Sequence, residues 1–277
     1  MTRALRVACT LPIALAAGVT FSASAARRAR VHPVVCVDWG VLLAGTVDGR
    51  WRDPDRVAAY LRGGERYRLY SLTRFLGMAT GTKPRLVKGE GYGYAQVLSL
   101  APVPKSAGVV IGVGGTWNAL PRVPTIERND QAVYREVVSA FLKAKGVAVH
   151  APRITQVLRV DLGGDGTDEV LISASSGGPS EMFNAPKKGT YSLVLVRKLV
   201  NGRVRTFEVA GTYLTKDLGP DEPPLIEILR VDAVLDLTGD GRMEVLVGAE
   251  GYEWSSIRAY RVTDSGTKLM FHEGVGA

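Results

Sequence analysis

The sequence is poor in several kinds of residue, and each shortage excludes a class of protein. Only 2 of the 277 residues are cysteine, which is too few for a small scaffold held together by disulfides. Charged residues make up 22% and hydrophobic residues 46% of the chain, too little charge and too much apolar character for a disordered protein. No apolar run reaches the roughly 18 residues of a membrane-spanning helix, so the chain is not a multi-pass membrane protein.

Motifs of well-known catalytic sites are also missing. The chain has only three histidines, His32, His150 and His272, and none of them lies in H-E-x-x-H. No G-x-S-x-G marks a serine nucleophile. Two glycine-rich stretches, 77–83 and 112–115, lack the spacing or the following helix of a phosphate-binding loop, so we predict turns there. The sequence therefore favours a protein that is not an enzyme.

The first 25 residues have the three parts of a secretory signal peptide. Arg3 and Arg6 precede an apolar run over 7–21, and Ala23 and Ala25 fit an A-x-A cleavage pattern. We predict cleavage after the second of these alanines. The mature protein is then extracytoplasmic, in the periplasm, on the cell surface or secreted.

The alternative is an uncleaved N-terminal segment that tethers the chain to the membrane. Arg27, Arg28 and Arg30 follow the predicted cut, and positive charge there opposes translocation. Cleavage removes two arginines and no acidic residue, so the formal net charge falls from +8 to +6. It also leaves Cys36 as the one cysteine, which we expect to be buried or inert in an oxidising compartment.

Residues 26–128 are predicted to form a β-rich region, because short apolar runs alternate there with glycine and proline. A short helix should begin at Asp53-Pro54, which supply a cap and a first-turn proline. Strands are predicted over 34–43, 66–72, 95–100 and 109–113.

A longer amphipathic helix is predicted within 129–146. Apolar residues between Asp130 and Lys145 recur at helical spacing and form a single stripe, typical of a helix packed on a sheet. Either Asn129 or Asp130 is expected to cap its start, and Gly146 suits its end.

The remainder, residues 147–277, contains an internal repeat with copies at about 150–215 and 225–277. The loop DLGGDGTDE (Asp161 to Glu169) recurs as DLTGDGRME (Asp236 to Glu244), starting 75 residues later. Asn201-Gly202 predicts a hairpin between the last two strands of the first copy. The predicted strands cover 154–160, 170–174, 191–199 and 203–210 in the first copy, and 226–235, 245–249, 256–262 and 268–271 in the second.

Each loop places oxygen-bearing residues at alternate positions of a tight turn, so that their oxygens converge on one point. Carboxylate and carbonyl oxygens suit Ca²⁺ rather than zinc or copper. The loop is not an EF-hand, because position 12 is Ile172 or Val247 and a strand follows. The predicted calcium ligands are Asp161, Asp165, Thr167 and Glu169 in the first loop, and Asp236, Thr238, Asp240, Arg242 and Glu244 in the second. Thr167 and Arg242, at position 7, would contribute their backbone carbonyls.

These loops and their flanking strands, from about Ile154 to Phe271, resemble the FG-GAP/VCBS repeat family, whose pattern is D-x-[DN]-x-D-G-x-x-[DE]. The resemblance implies propeller-type blades, structural calcium, and extracellular modules that bind ligands. At position 3 the chain has Gly163 or Thr238, so we expect weak calcium binding. The alternative is a metal-free turn whose aspartates accept hydrogen bonds from backbone amides.

The predicted fold is therefore mainly β, with propeller-like four-stranded repeats in a small or irregular propeller. A closed propeller needs about four blades and only two repeats are visible, so a two-part β protein is the alternative. The predicted function is an exported calcium-binding module, with a binding or structural role at the cell envelope. Tyr252 and Trp254 are candidate contacts for an envelope glycan or protein ligand. The sequence has no stripe of basic and aromatic residues of the kind that binds nucleic acid, so no nucleic-acid partner is predicted.

One enzymatic alternative stays open, an extracytoplasmic hydrolase that acts on glycans through loop carboxylates. Such enzymes work with a pair of acids, and Glu227, Glu250 and Glu253 lie near predicted strand ends. This alternative predicts a cleft in which two acids face each other.

Overall fold

The computed structural model describes residues 29–88, 94–106, 108–184, 186–219, 222 and 226–276. The predicted signal peptide and its cleavage site lie outside these residues. Strands account for 48% and helices for 10%, which confirms the prediction of a mainly β protein. Within the described residues, none of the helices has both the length and the apolar character needed to cross a bilayer.

The first sheet is formed by nine antiparallel strands from the N-terminal region. The strands are β1 (Val31–Cys36), β2 (Val41–Val47), β3 (Arg50–Arg52), β4 (Arg66–Tyr70), β5 (Phe75–Gly81), β6 (Arg85–Lys88), β7 (Tyr94–Val97), β8 (Leu100–Ala101) and β9 (Ile111–Val113). Across the sheet they follow the order β6-β7-β2-β1-β9-β4-β5-β8, and β3 pairs with β2. A short helix, α1 (Pro54–Ala58), follows β3.

Several details of this sheet differ from the sequence-based predictions. The apolar run 34–43, predicted as one strand, forms parts of two, because the chain turns at residues 37–40 and Gly40 adopts φ +63°. The stretch 77–83, predicted as a turn, lies mostly in β5, and Gly112 lies in β9. The short helix is confirmed, since the Asp53 side chain accepts a hydrogen bond from the Arg56 N–H and caps it.

The second and third sheets contain the two repeats. In both sheets consecutive strands pair antiparallel, so each repeat is a four-stranded meander, and β10 (Thr125–Ile126) adds to the edge of the second sheet. The first repeat has β11 (Ile154–Val160), β12 (Glu169–Ser175), β13 (Tyr191–Val200) and β14 (Arg203–Tyr213), and the second has β15 (Ile228–Leu235), β16 (Glu244–Glu250), β17 (Trp254–Thr263) and β18 (Gly266–Gly276). All eight predicted strands and the Asn201-Gly202 hairpin are confirmed.

Helix α2 (Ala132–Ala144) confirms the predicted amphipathic helix and its end, where Gly146 adopts φ +83°, but not the predicted cap at its start. The residue at the cap position is Gln131, whose side chain makes no capping bond. Asn129 instead donates to the Ile154 carbonyl, and Asp130 pairs with Arg128. The buried face of the helix packs on the second sheet through Tyr134, Val138 and Leu142. A third helix, α3 (Pro179–Asn184), lies between β12 and β13 and was not predicted.

All three sheets share one hydrophobic core. It joins buried residues of the first sheet to those of both repeats, so the repeats are packed against the N-terminal region. The predicted lone thiol, Cys36, lies in this core with no exposed surface. Burial raises the pKa of the Cys36 thiol to about 12.

Cys36 should therefore be unreactive in the folded protein, because the thiolate is the reactive form. In a Cys9→Ser chain, where it is the single thiol, a colourless aromatic disulfide reagent at pH 8 should modify it far more slowly than in the same chain unfolded by guanidinium. The measurement is the absorbance of the released thiolate. Equal rates in the two states would contradict the buried position.

Candidate functional site

The structure brings the two repeated loops together at one end of the second and third sheets. The first loop (161–169) connects β11 to β12, and the second loop (236–244) connects β15 to β16. The Met243 N–H donates to the Leu162 carbonyl at 3.0 Å, so the backbones of the two loops are in direct contact. The predicted ligands of both loops thus lie in one region of the structure.

The aspartate at position 1 organises each loop through backbone N–H groups. Asp161 accepts hydrogen bonds from Gly164 and Asp165 at Oδ1 and from Gly166 at Oδ2, over 2.6 to 3.2 Å. Asp236 accepts from the same three positions of the second loop, over 2.7 to 3.2 Å. Burial opposes the charge of Asp161, but these N–H groups and Arg122 outweigh it and hold its pKa below the ordinary value.

The residues at positions 5 and 7 close the end of each turn. Asp165 Oδ1 accepts from the Thr167 N–H at 2.9 Å, and Asp240 Oδ1 accepts from the Arg242 N–H at 3.0 Å. In the turn the glycine at position 6 has φ near +83° in both loops, a conformation that favours glycine. Backbone N–H groups thus donate to the aspartates at positions 1 and 5, as the alternative of a metal-free turn predicts.

The glutamate at position 9 of the first loop is buried and bonded at both oxygens. Glu169 is 2% exposed; its Oε2 accepts from the Leu162 N–H at 2.9 Å, and its Oε1 accepts from Lys198 Nζ at 2.7 Å. Burial works against the charge of Lys198, but Glu169 outweighs it, so the pKa of Lys198 lies above its ordinary value. This carboxylate is neutralised from within the protein.

The second loop repeats this arrangement with an arginine. Glu244 has no exposed surface; its Oε2 accepts from the Leu237 N–H at 3.0 Å, and its Oε1 accepts from Arg261 Nε at 2.8 Å. Burial raises the pKa of Glu244, while the Leu237 N–H and Arg261 oppose that rise. The two position-9 glutamates therefore have matching environments.

Lys198 and Arg261 occupy equivalent places in the two sheets. The pairing of Val170 with Arg197 places Lys198 beside Glu169, and the pairing of Val245 with Tyr260 places Arg261 beside Glu244. The separations along the chain differ, 29 residues in the first repeat and 17 in the second, because the first has the extra helix α3. Sequence reasoning missed both residues, since no fixed offset connects them to their loops.

As arranged, the predicted ligands do not fit a calcium ion. Apart from Asp165 Oδ2, their carboxylate oxygens are engaged by backbone N–H groups or by the two cationic side chains, and Gly163 at position 3 has no side-chain oxygen. Among the residues that the structure describes, no group of three or more His, Cys, Asp or Glu side chains is arranged to hold a metal ion. Calcium binding stays a prediction.

Arg122, which lies outside both repeats, links the two loops. Its guanidinium donates to the carbonyls of Asp161 at 2.5 Å and Leu162 at 3.4 Å in the first loop, and to that of Gly241 at 2.6 Å in the second. Its side chain is 27% exposed. The sequence pattern pointed to the loops alone, and no signal in it marked this arginine.

A cleft of about 570 Å³ opens between the two loops, the β13–β14 hairpin and the β17–β18 turn. The charged residues that line it are Glu169, Lys198, Arg205, Arg242, Arg261 and Asp264. Lys198 and Arg261 are paired with carboxylates. Arg205 and Arg242 are exposed and have no carboxylate partner within the described residues, and Arg205 lies 5.3 Å from the ring centre of Phe207. The cleft therefore has an excess of positive charge.

The two candidate aromatic contacts, Tyr252 and Trp254, lie at the opposite end of the third sheet from the second loop. Tyr252 is 70% exposed. Trp254 packs against the shared core and beside Gly251 and Gly276. The structure does not bring either aromatic residue to the cleft.

Comparison of the chain with protein-family models, with curated proteins and with solved structures gave no match. The resemblance to FG-GAP/VCBS repeats therefore stays a prediction from the loop residues and their strands.

Arg122→Met should destabilise the protein by about 2–4 kcal/mol, because carbonyls in both loops lose a charged donor. The measurement is the free energy of unfolding in urea. Arg128→Met is the matched control: Arg128 is an exposed arginine paired with the exposed Asp130, and its loss should leave stability nearly unchanged. Equal effects of the two substitutions would contradict the linking role of Arg122.

Proposed function

We propose that the chain is an exported, non-catalytic module that binds an anionic ligand at the cell envelope. The observation that carries this proposal is the cleft between the two loops, whose walls carry Arg205 and Arg242 with no carboxylate partner among the described residues. The loops have a structural role, since they hold the walls of the cleft in place. We further propose that the two meanders are propeller-type blades, supported by their sequential antiparallel order.

The proposed ligand carries carboxylate or phosphate groups. An arginine guanidinium presents several N–H donors in a plane and matches both kinds of anion with paired hydrogen bonds. Arg205 and Arg242 come from the two different repeats, so an anion between them would contact both sheets. The net charge of +6 predicted for the mature chain favours the same class of partner at long range.

Binding can be measured by calorimetric titration with two probes, a soluble polyuronate for carboxylate and an inorganic polyphosphate for phosphate. We expect at least one probe to bind and the double variant Arg205→Ala, Arg242→Ala to weaken binding roughly tenfold or more. Because both arginines are exposed, raising NaCl from about 50 to about 300 mM should also weaken binding.

The matched control is Arg66→Ala, which removes an exposed arginine from β4 in the first sheet. It should leave binding within about twofold of the unaltered chain. The proposal is wrong if neither probe binds, or if this control weakens binding as much as the double variant does.

The second candidate function is the glycan hydrolase. Two of its three candidate acids are paired with arginine: Glu227 with Arg258 through both oxygens, and Glu250 with Arg230 at 3.7 Å. The arginines bind the carboxylate oxygens that a glycosidase acid or base must present to its substrate. These pairs favour the binding module.

One observation favours the hydrolase. Glu273 lines a cavity of about 310 Å³ beside Trp51 and His272. Burial, followed by the charges of Asp55 and Asp53, raises the pKa of Glu273 to about 7. A protonated carboxyl next to an aromatic ring is the kind of group that glycosidases use as a general acid.

The raised pKa predicts how stability depends on pH. The folded chain holds the Glu273 proton more tightly than the unfolded chain, so this group stabilises the fold at low pH, and the contribution is lost as pH rises to about 7. The melting temperature should therefore fall less between pH 5 and pH 8 in Glu273→Gln than in the unaltered chain. If the melting temperatures of the two proteins change with pH in the same way, the raised pKa of Glu273 is contradicted.

The same variant separates the two functions. We expect the unaltered chain to release no chromophore from a panel of chromogenic glycosides. Hydrolysis that disappears in Glu273→Gln would instead establish the hydrolase.

A further inference from the structure

The side chain of Arg261 reaches from β17 into the second loop and contacts the oxygen-bearing residues at three of its positions. Nη2 donates to Thr238 Oγ1 at position 3, at 3.3 Å. Nη1 lies 2.9 Å from Asp240 Oδ2 at position 5. Nε and Nη2 both donate to Glu244 Oε1 at position 9. The guanidinium thus lies among the oxygens of three predicted ligand positions of the second loop.

Lys198 holds the corresponding place in the first loop. Its ammonium lies 2.7 Å from Glu169 Oε1 at position 9 and 3.6 Å from Asp264 Oδ1 in the β17–β18 turn of the other repeat. The side chain of Lys198 is only 12% exposed. The first loop therefore also has an internal cation beside its buried carboxylate.

We propose that the protein's own cations, Arg261 and Lys198, take the place of a metal ion in both loops, so that the folded chain neither needs nor binds calcium there. This inference goes beyond the proposed anion binding and does not depend on it.

The charges and the contacts support this substitution. A buried carboxylate needs a compensating positive charge, and a cation fixed on a neighbouring strand supplies it without a metal. Calcium at the second loop would have to displace the guanidinium from Asp240 and Glu244, and would bring two like charges together. The backbone N–H groups bonded to Asp236 also close the turn without a metal.

The first test uses the unaltered chain with calcium chloride as the only probe. The melting temperature should differ by less than about 1 °C between excess EDTA and millimolar calcium, and calorimetric titration should show no binding. A rise of several degrees with calcium that EDTA reverses would overturn the proposal.

The second test asks whether Arg261 acts on the loop through its charge. Arg261→Met should lower the melting temperature by about 5–15 °C, because Glu244 is left buried and unpaired. The double variant Arg261→Met, Glu244→Gln should lose much less than the sum of the two single variants. Additive losses, or an Arg261→Met chain as stable as the unaltered one, would overturn the proposal.

The matched control is Arg258→Met on the same strand. Arg258 is also paired with a half-buried glutamate, Glu227, but it does not contact the loop. Hydrogen exchange of the amides over 238–241 should be faster in Arg261→Met than in Arg258→Met. Equal exchange in the two variants would mean that Arg261 stabilises the sheet in general and not the loop.

Discussion

Each repeat buries one glutamate at the start of its second strand. The structure around the two repeated loops depends on this constraint. A carboxylate with 2% or less of its surface exposed is tolerated only with hydrogen bonds and a nearby cation. Glu169 and Glu244 each take an N–H from their own loop and a cation from the next strand. A shift of one residue in either strand pairing would turn that cation to the other face of the sheet, so the ion pair and the register support each other.

The apposition of the two loops follows from backbone groups rather than from carboxylates. Position 2 of each loop is a buried leucine, and the carbonyl of Leu162 accepts from Met243 and Arg122. Arg122 reaches Gly241 as well, so an arginine from outside the repeats fixes the distance between them. The cleft is a consequence of this spacing, since its walls are the two loops and the turns beside them. Structure and proposed binding thus depend on the same few contacts.

Local patterns predicted the repeats well because the information lay within short segments. The strands of both repeats could be predicted from apolar runs, from the Asn201-Gly202 turn and from the aspartate-glycine loops. The loops also suggested the hydrogen bonds from backbone amides to the first aspartate. The nine-stranded sheet was harder, because the apolar run 34–43 joins two buried strand segments, 34–36 and 41–43, through a short turn at 37–40 that is itself mostly apolar. Lys198, Arg261 and Arg122 were out of reach, since they meet the loops through tertiary contacts at separations that no motif encodes.

The difference between the two copies at position 3 follows from the cation that each one uses. An ammonium is a compact charge, and in the first loop it lies beside Glu169 and Asp264, so its position does not require a side-chain oxygen at Gly163. A guanidinium presents a planar set of donors, and in the second loop Thr238 accepts one of them beside Asp240 and Glu244. Position 3 therefore carries an oxygen in the loop where a planar guanidinium reaches it, and none in the loop where a rotatable ammonium has its partners elsewhere.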